Sequence, residues 1–170
     1  MSVKTIVVTG PESSGKTVLA QQLADYYDDA HLPEYAREYL ALKGVNYTEE
    51  DGLKIAQEQF RRQKAVKEQA KAYLFCDTGL LVTKVWSEYR FKKVDPWIEE
   101  VFAADNVDLY ILCDCDIPWE YDPLRENPFD RPELFEVYRQ HLEAAGKKYV
   151  LVSGRHTARL NEAIGEIEKL

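Results

Sequence analysis

Gly10-Pro11-Glu12-Ser13-Ser14-Gly15-Lys16-Thr17 follows the apolar run Thr5-Ile6-Val7-Val8 and leads into Val18-Leu19-Ala20-Gln21-Gln22-Leu23. A strand-like run, a glycine-bounded loop and a helix-forming run carry the spacing G-x-x-x-x-G-K-[ST], which binds phosphate by a known physical mechanism. Gly10 and Gly15 let the backbone curl so that successive N–H groups share one concavity. The partial positive charge of the helix N-terminus adds to it. The reading assigns Gly10, Glu12, Ser13, Ser14, Gly15, Lys16, Thr17 and Val18 to a nucleoside triphosphate, ATP. Lys16 reaches its β- and γ-phosphates and the Thr17 hydroxyl holds Mg²⁺.

With 170 residues the chain reads as one domain, residues 1–170, large enough to bury a core without staples. Its 22 Lys and Arg against 30 Asp and Glu leave a net charge of −8, which argues against a broad nucleic-acid face. An odd set of cysteines, Cys76, Cys113 and Cys115, falls on strand-like segments and points to reduced thiols in a cytoplasmic setting. Cys113-x-Cys115 lacks the usual zinc spacing, and His31, His141 and His156 are scattered without ligand spacing. Met1-Ser2-Val3-Lys4 runs directly into a strand, so no signal peptide is expected. No apolar run approaches the roughly 20 residues needed to span a bilayer.

Outward from the loop, apolar runs alternate with helical patterns. Thr5–Thr9 reads as a strand, and Gly15–Tyr27 as a helix with Val18, Leu19, Leu23 and Tyr26 at helical spacing. Pro33 ends a short strand at Ala30–Leu32, and Glu34–Leu42 reads as a short helix. Thr48-x-x-Asp51 has the form of a capping motif and opens a helix expected to run to Lys71, with a polar face of Gln, Lys and Glu. Further strands are expected at Tyr73–Cys76, Val107–Cys113 and Tyr149–Val152. Helices are expected at Leu80–Tyr89 and Pro96–Phe102, from Asp130 as cap, and from Thr157. Five strands separated by helices imply an α/β fold, a parallel sheet between two helical layers. In such sheets ligands sit beyond the carboxyl ends of the strands.

The strand ends therefore form a candidate site list. The second strand delivers Glu34, Tyr35 and Arg37; Glu34 is placed to accept the proton of an alcohol facing the phosphate loop. An apolar third strand ending in Asp77 has the Walker B form, with the carboxylate on Mg²⁺; Asp77 is also the alternative base. The fourth leads into a polar, proline-bounded stretch, residues 117–131, whose Arg125 and Arg131 suit a lid that supplies charge and excludes water. The fifth delivers Ser153 and Arg155, suited to an adenine. Tyr35, Trp86 and Trp119 are candidate stacking faces for a heterocyclic substrate.

The combination of the phosphate loop with Pro33-Glu34-Tyr35-Ala36-Arg37-Glu38-Tyr39, Phe75-Cys76-Asp77-Thr78, Ile117-Pro118-Trp119, Leu124-Arg125 and Asp130-Arg131 resembles a known family. It is the ribosylnicotinamide kinase domain of NadR, a P-loop nucleoside kinase of AAA-type ATPase-like character. The resemblance covers almost the whole chain. It implies strand order 2-3-1-4-5 and transfer of the ATP γ-phosphate to the 5′-hydroxyl of nicotinamide riboside, giving nicotinamide mononucleotide in NAD biosynthesis. It also implies that Lys16 and Thr17 bind phosphate and Mg²⁺, that Asp77 is the Walker B acid and that Arg125 and Arg131 belong to the lid. Glu34 falls on the family's second-strand carboxylate. NadR's adenylyltransferase domain is not expected in 170 residues. Where the family carries an aromatic before Glu-Tyr, this chain has Pro33. Three readings stay open: a nucleoside acceptor; another acceptor such as a nucleoside monophosphate, for which Arg37, Arg61 and Arg62 are the available cations; and a nucleotide switch acting on a protein partner.

Overall fold

The computed structural model describes residues 2–155 and 157–170; His156 lies outside them. Strands β1 (Lys4–Thr9), β2 (Ala30–Leu32), β3 (Tyr73–Asp77), β4 (Leu109–Cys113) and β5 (Tyr149–Val152) alternate with seven helices among the described residues. These are α1 (Lys16–Tyr27), α2 (Tyr35–Lys43), α3 (Glu49–Lys67), α4 (Leu80–Phe91), α5 (Pro96–Ala104), α6 (Arg131–Ala144) and α7 (Thr157–Ile167). All strands pair in parallel, in the order β2-β3-β1-β4-β5. This is the order expected from the resemblance.

Burial follows from position in the sheet. β1, β3 and β4 are central, and their near-continuous apolar sequences are covered on both faces. Alternation along β1 splits the core: Val7 packs with Leu74, Cys76, Tyr110 and Leu112 beneath α4, α5 and α6. Ile6 and Val8 pack with Phe75, Ile111 and Cys113 beneath α1 and α7. Register aligns Val8 with Asp77 on one side and Ile111 on the other, so the loops after β1, β3 and β4 leave the sheet at one edge.

Some boundaries differ from expectation, each for a local reason. The helix starting at Thr48 has the expected capping box, but it ends at Lys67. The N–H groups of Lys71, Ala72 and Tyr73 donate to the Asp29 carboxylate (2.9, 2.8 and 2.8 Å), which turns the chain into β3 instead. β4 begins at Leu109 rather than Val107, because Asp108 is spent on Thr5: its carboxylate accepts the Thr5 N–H at 2.7 Å. Glu34 is the N-cap of α2 and not its first residue. Asp130 stands at the N-cap of α6, but its carboxylate accepts from the Tyr89 hydroxyl rather than capping the helix. Cys76 and Cys113 are buried in strands as expected, whereas Cys115 lies half-buried in the loop after β4.

Candidate active site

The loop between β1 and α1 is held in shape by backbone geometry and by one buried arginine. Gly10 has φ +139°, and a Cβ there would sit 2.8 Å from the Cys113 carbonyl of β4. Gly15 has φ +79°, which favours glycine. Arg159 of α7, only 5 % exposed, donates to the carbonyls of Ser14, Asp114 and Gly154 and pairs with the Asp116 carboxylate. Asp116 in turn accepts the Gly154 N–H at 2.6 Å. One guanidinium thus ties the loops after β1, β4 and β5 together. Sequence reasoning passed over Arg159, and helical position alone carries no signal for such a role. Lys16 curls back, its Nζ donating to the Pro11 carbonyl at 2.7 Å.

Thr17 and Asp77 meet: the hydroxyl donates to Asp77 Oδ2 at 2.7 Å. Asp77 is buried, and its Oδ1 has no hydrogen-bond partner among the described residues. A buried carboxylate oxygen left open beside a hydroxyl, below a phosphate-type loop, fits a Mg²⁺ ion by donor chemistry.

A cavity of about 540 Å³ runs from this loop into the space between α2, α3 and α4. Its loop end is lined by Gly10 to Leu19, by Gly154 and by Arg155, which is exposed. Its far end is lined by Leu40, Ile55, Val82, Val85, Trp86 and Leu124. Glu34 and Gln59 line it as well. The Glu34 side chain is 18 % exposed, and burial lifts its pKa to about 7, against the pull of Lys16 and with a push from Asp77. Burial also raises Glu12, opposed by the N–H groups of Asn127 and Glu126, which donate to it at 3.0 Å each.

Residues 114–130 form the segment after β4 and connect both halves. Ser13 Oγ accepts from the Glu120 N–H at 3.0 Å and from Arg125 at 3.3 Å. Arg131 donates to the carbonyls of Ser13 (3.1 Å) and Ile117 (2.9 Å). At the far end Arg90 donates to Glu126 at 2.5 Å and lies 3.9 Å above the Tyr47 ring. Tyr47 stacks on Trp86, with ring centroids 4.5 Å apart and planes 24° apart.

Several expected site residues fall elsewhere. Tyr35 does not line the cavity; its ring lies under the Arg62 guanidinium at 4.3 Å, on the outer face. Trp119 is also outside the lining, its ring centroid about 6 Å from the guanidiniums of both Arg125 and Arg131. Ser153 is exposed and off the lining, and its N–H donates to Glu162. Arg37 lines the cavity but is paired with Asp122 at 2.9 Å. Trp86 lines it, and Val18 does so at the loop end although 61 % exposed.

A family model described as an AAA domain, AAA_28, matches residues 5–159. The chain belongs to that family. Among curated proteins it is similar to the trifunctional NAD biosynthesis/regulator protein NadR of Escherichia coli strain K12. The two are 28 % identical over 158 residues, covering 88 % of this chain and 38 % of that protein. NadR of Salmonella typhimurium is 30 % identical over 129 residues, covering 72 % and 31 %. The chain thus spans about a third of the length of these relatives. A solved structure of NadR with NAD and AMP-PNP superposes with a TM-score of 0.83 at 22 % identity, over 98 % of this chain and 49 % of that one. A NadR structure with NR gives the same TM-score and identity over 98 % and 51 %. Thymidylate kinase from Ehrlichia chaffeensis gives 0.67 at 15 % identity, over 99 % and 98 %. The AAA_28 fold here is the fold of P-loop kinases. Among its described residues no helix is long and apolar enough to cross a membrane.

Proposed function

We propose that this AAA_28 chain is a nucleoside kinase that transfers the γ-phosphate of ATP to the 5′-hydroxyl of nicotinamide riboside. The observation that carries the reading is the single cavity joining the phosphate loop to a buried carboxylate, Glu34, and an aromatic wall, Trp86. The likeness to NadR, one of whose structures holds NR, supports the choice of acceptor.

The loop and Lys16 bind the triphosphate and take up negative charge on the transferring phosphoryl group. Thr17 and Asp77 hold Mg²⁺, which when bound neutralises phosphate charge. Glu34 accepts the proton of the 5′-hydroxyl as its oxygen bonds to the γ-phosphorus and the bond to ADP breaks. A pKa of about 7 suits a base working near neutral pH. Arg125, which lines the cavity and is bonded to Ser13 of the loop and to the Glu120 carbonyl, supplies positive charge beside the phosphates. Nicotinamide riboside carries a positive pyridinium ring. Trp86, backed by Tyr47, offers that ring a π face, and the carboxylates of Glu12 and Glu34 favour a cation in the cavity.

The charge inventory disfavours a monophosphate acceptor. Arg37 is paired with Asp122, Arg61 with Glu58, and Arg62 with Glu38 and Glu58. Each candidate cation is therefore already engaged.

The test is incubation with ATP, Mg²⁺ and a panel of nucleosides and nucleoside monophosphates, following ADP and phosphorylated product by mass spectrometry. Nicotinamide mononucleotide from nicotinamide riboside is expected, and none with Lys16→Ala. ADP without phosphorylated product indicates a nucleotide switch and overturns the proposal.

A further inference from the structure

Gln59 lies on α3 one turn beyond Ile55, and both line the cavity. Its side chain is 4 % exposed. The Oε1 accepts the Tyr35 N–H at 2.8 Å, at the first turn of α2 and one residue past Glu34. That bond fixes the amide's orientation, because a backbone N–H only donates and so requires the oxygen. The Nε2 is likewise buried and has no hydrogen-bond partner among the described residues. The other buried side-chain atoms in that condition belong to Thr9, Tyr27, His31 and Asp77, and none of these residues lines the cavity.

A buried NH₂ group with its oxygen already engaged is a donor and nothing else. Native interiors do not leave such groups unpaired, and in a ligand cavity the partner is supplied by ligand or water. We infer that Gln59 is a specificity-determining residue, its amide N–H donating to an accepting oxygen of the bound nucleoside. The inference rests on the proposed function. Two oxygens of nicotinamide riboside meet the requirement, the ring carboxamide carbonyl and a ribose hydroxyl. Either way the site selects against acceptors that present only donors there. Asp51, Ile55, Gln59 and Gln63 form one buried stripe, so Gln59 and Gln63, expected on the polar face of the helix, point inward, whereas Gln57 is exposed.

The test is titration calorimetry of the full chain with AMP-PNP and Mg²⁺ present, using three probes. These are nicotinamide riboside, its analogue lacking the carboxamide, and its 2′,3′-dideoxy analogue. Two variants are compared with wild type. Gln59→Met keeps the volume and removes both polar atoms. Gln59→Glu keeps an oxygen for the Tyr35 N–H and puts a carboxylate oxygen in place of the donor; its charge acts alike on the three cationic probes, so the lost donor is read from the difference between them. AMP-PNP affinity serves as the control for folding. Nicotinamide riboside is expected to bind about tenfold more weakly to Gln59→Met, and in both variants to lose about tenfold of its affinity relative to the analogue that lacks the partner oxygen. The penalty disappears on the analogue that lacks the partner oxygen, which identifies that oxygen. Binding of nicotinamide riboside to Gln59→Met within twofold of wild type, or an equal change on all three probes, overturns the assignment and leaves the kinase proposal standing. A wild type that binds AMP-PNP but none of the three nucleosides overturns the acceptor reading and this inference together.

Discussion

Replacing Glu34 by Gln removes one ionisable group at the junction of the two halves of the cavity. The ordinary carboxyl value is 4.5, and burial raises it to about 7 in the folded chain. Between those pH values the folded state holds a proton that the unfolded chain has released. Stability attributable to this group therefore falls as pH rises from 4.5 through 7, and the full penalty applies above 7. The gap between the two values, at about 1.4 kcal/mol per pH unit, comes to about 3 kcal/mol. Gln cannot ionise, so the stability difference between variant and wild type should grow by that amount between pH 4.5 and pH 8. Urea denaturation across this range measures it. Wild-type kcat/KM for the acceptor should also rise with an apparent pKa near 7, and that limb should vanish in Glu34→Gln along with most turnover. A stability difference that stays flat with pH would falsify the buried-carboxylate argument. Wild-type turnover in the variant would remove Glu34 as the base and leave Asp77 in its place.

Asp77→Asn should weaken the Mg²⁺ requirement's saturation at least tenfold, read from activity against free Mg²⁺, while leaving the thermal transition of the free protein little changed. Unchanged Mg²⁺ dependence would remove Asp77 from the metal site. Arg159→Met leaves Asp116 and three loop carbonyls without their buried partner, so a loss of about 3 kcal/mol in unfolding free energy is expected. ADP affinity should fall with it, and calorimetry showing unaltered ADP binding would contradict the clamp. Lys16→Ala should retain the fold by circular dichroism and lose phosphoryl transfer.

The sheet was readable because its signals are local. Continuous apolar runs in β1, β3 and β4 declare burial on both faces, and the glycine spacing at 10–15 declares a tight turn whatever surrounds it. Asp77 was readable because strand register carries its side chain to the same edge as the phosphate loop. Direction of side chains in the helices was much less so. Tyr35 stands one residue from Glu34, yet the helical turn carries its ring to the opposite side, under Arg62. Trp119 was read as a stacking surface for a ligand, but two guanidiniums lie near its ring. The buried glutamines of α3 carry a polar label in the sequence, and only tertiary partners hold them inward, the Tyr35 N–H of α2 for Gln59 and the Asp105 carboxylate for Gln63. Arg159 acts across 145 residues to reach Ser14, a pairing beyond the reach of any short motif.

That long-range tie has a consequence for the order in which the molecule becomes competent during synthesis. Residues 10–17 emerge from the ribosome well before the side chain that fastens their shape, which comes from α7, the last helix of the described fold. Domains fold as units once enough chain is available. A nascent chain that ends before Arg159 carries the whole phosphate-binding motif without the clamp that shapes it. The loop after β1 therefore reaches its final shape only once α7 is in place, and a motif made early in the domain is among its latest parts to mature.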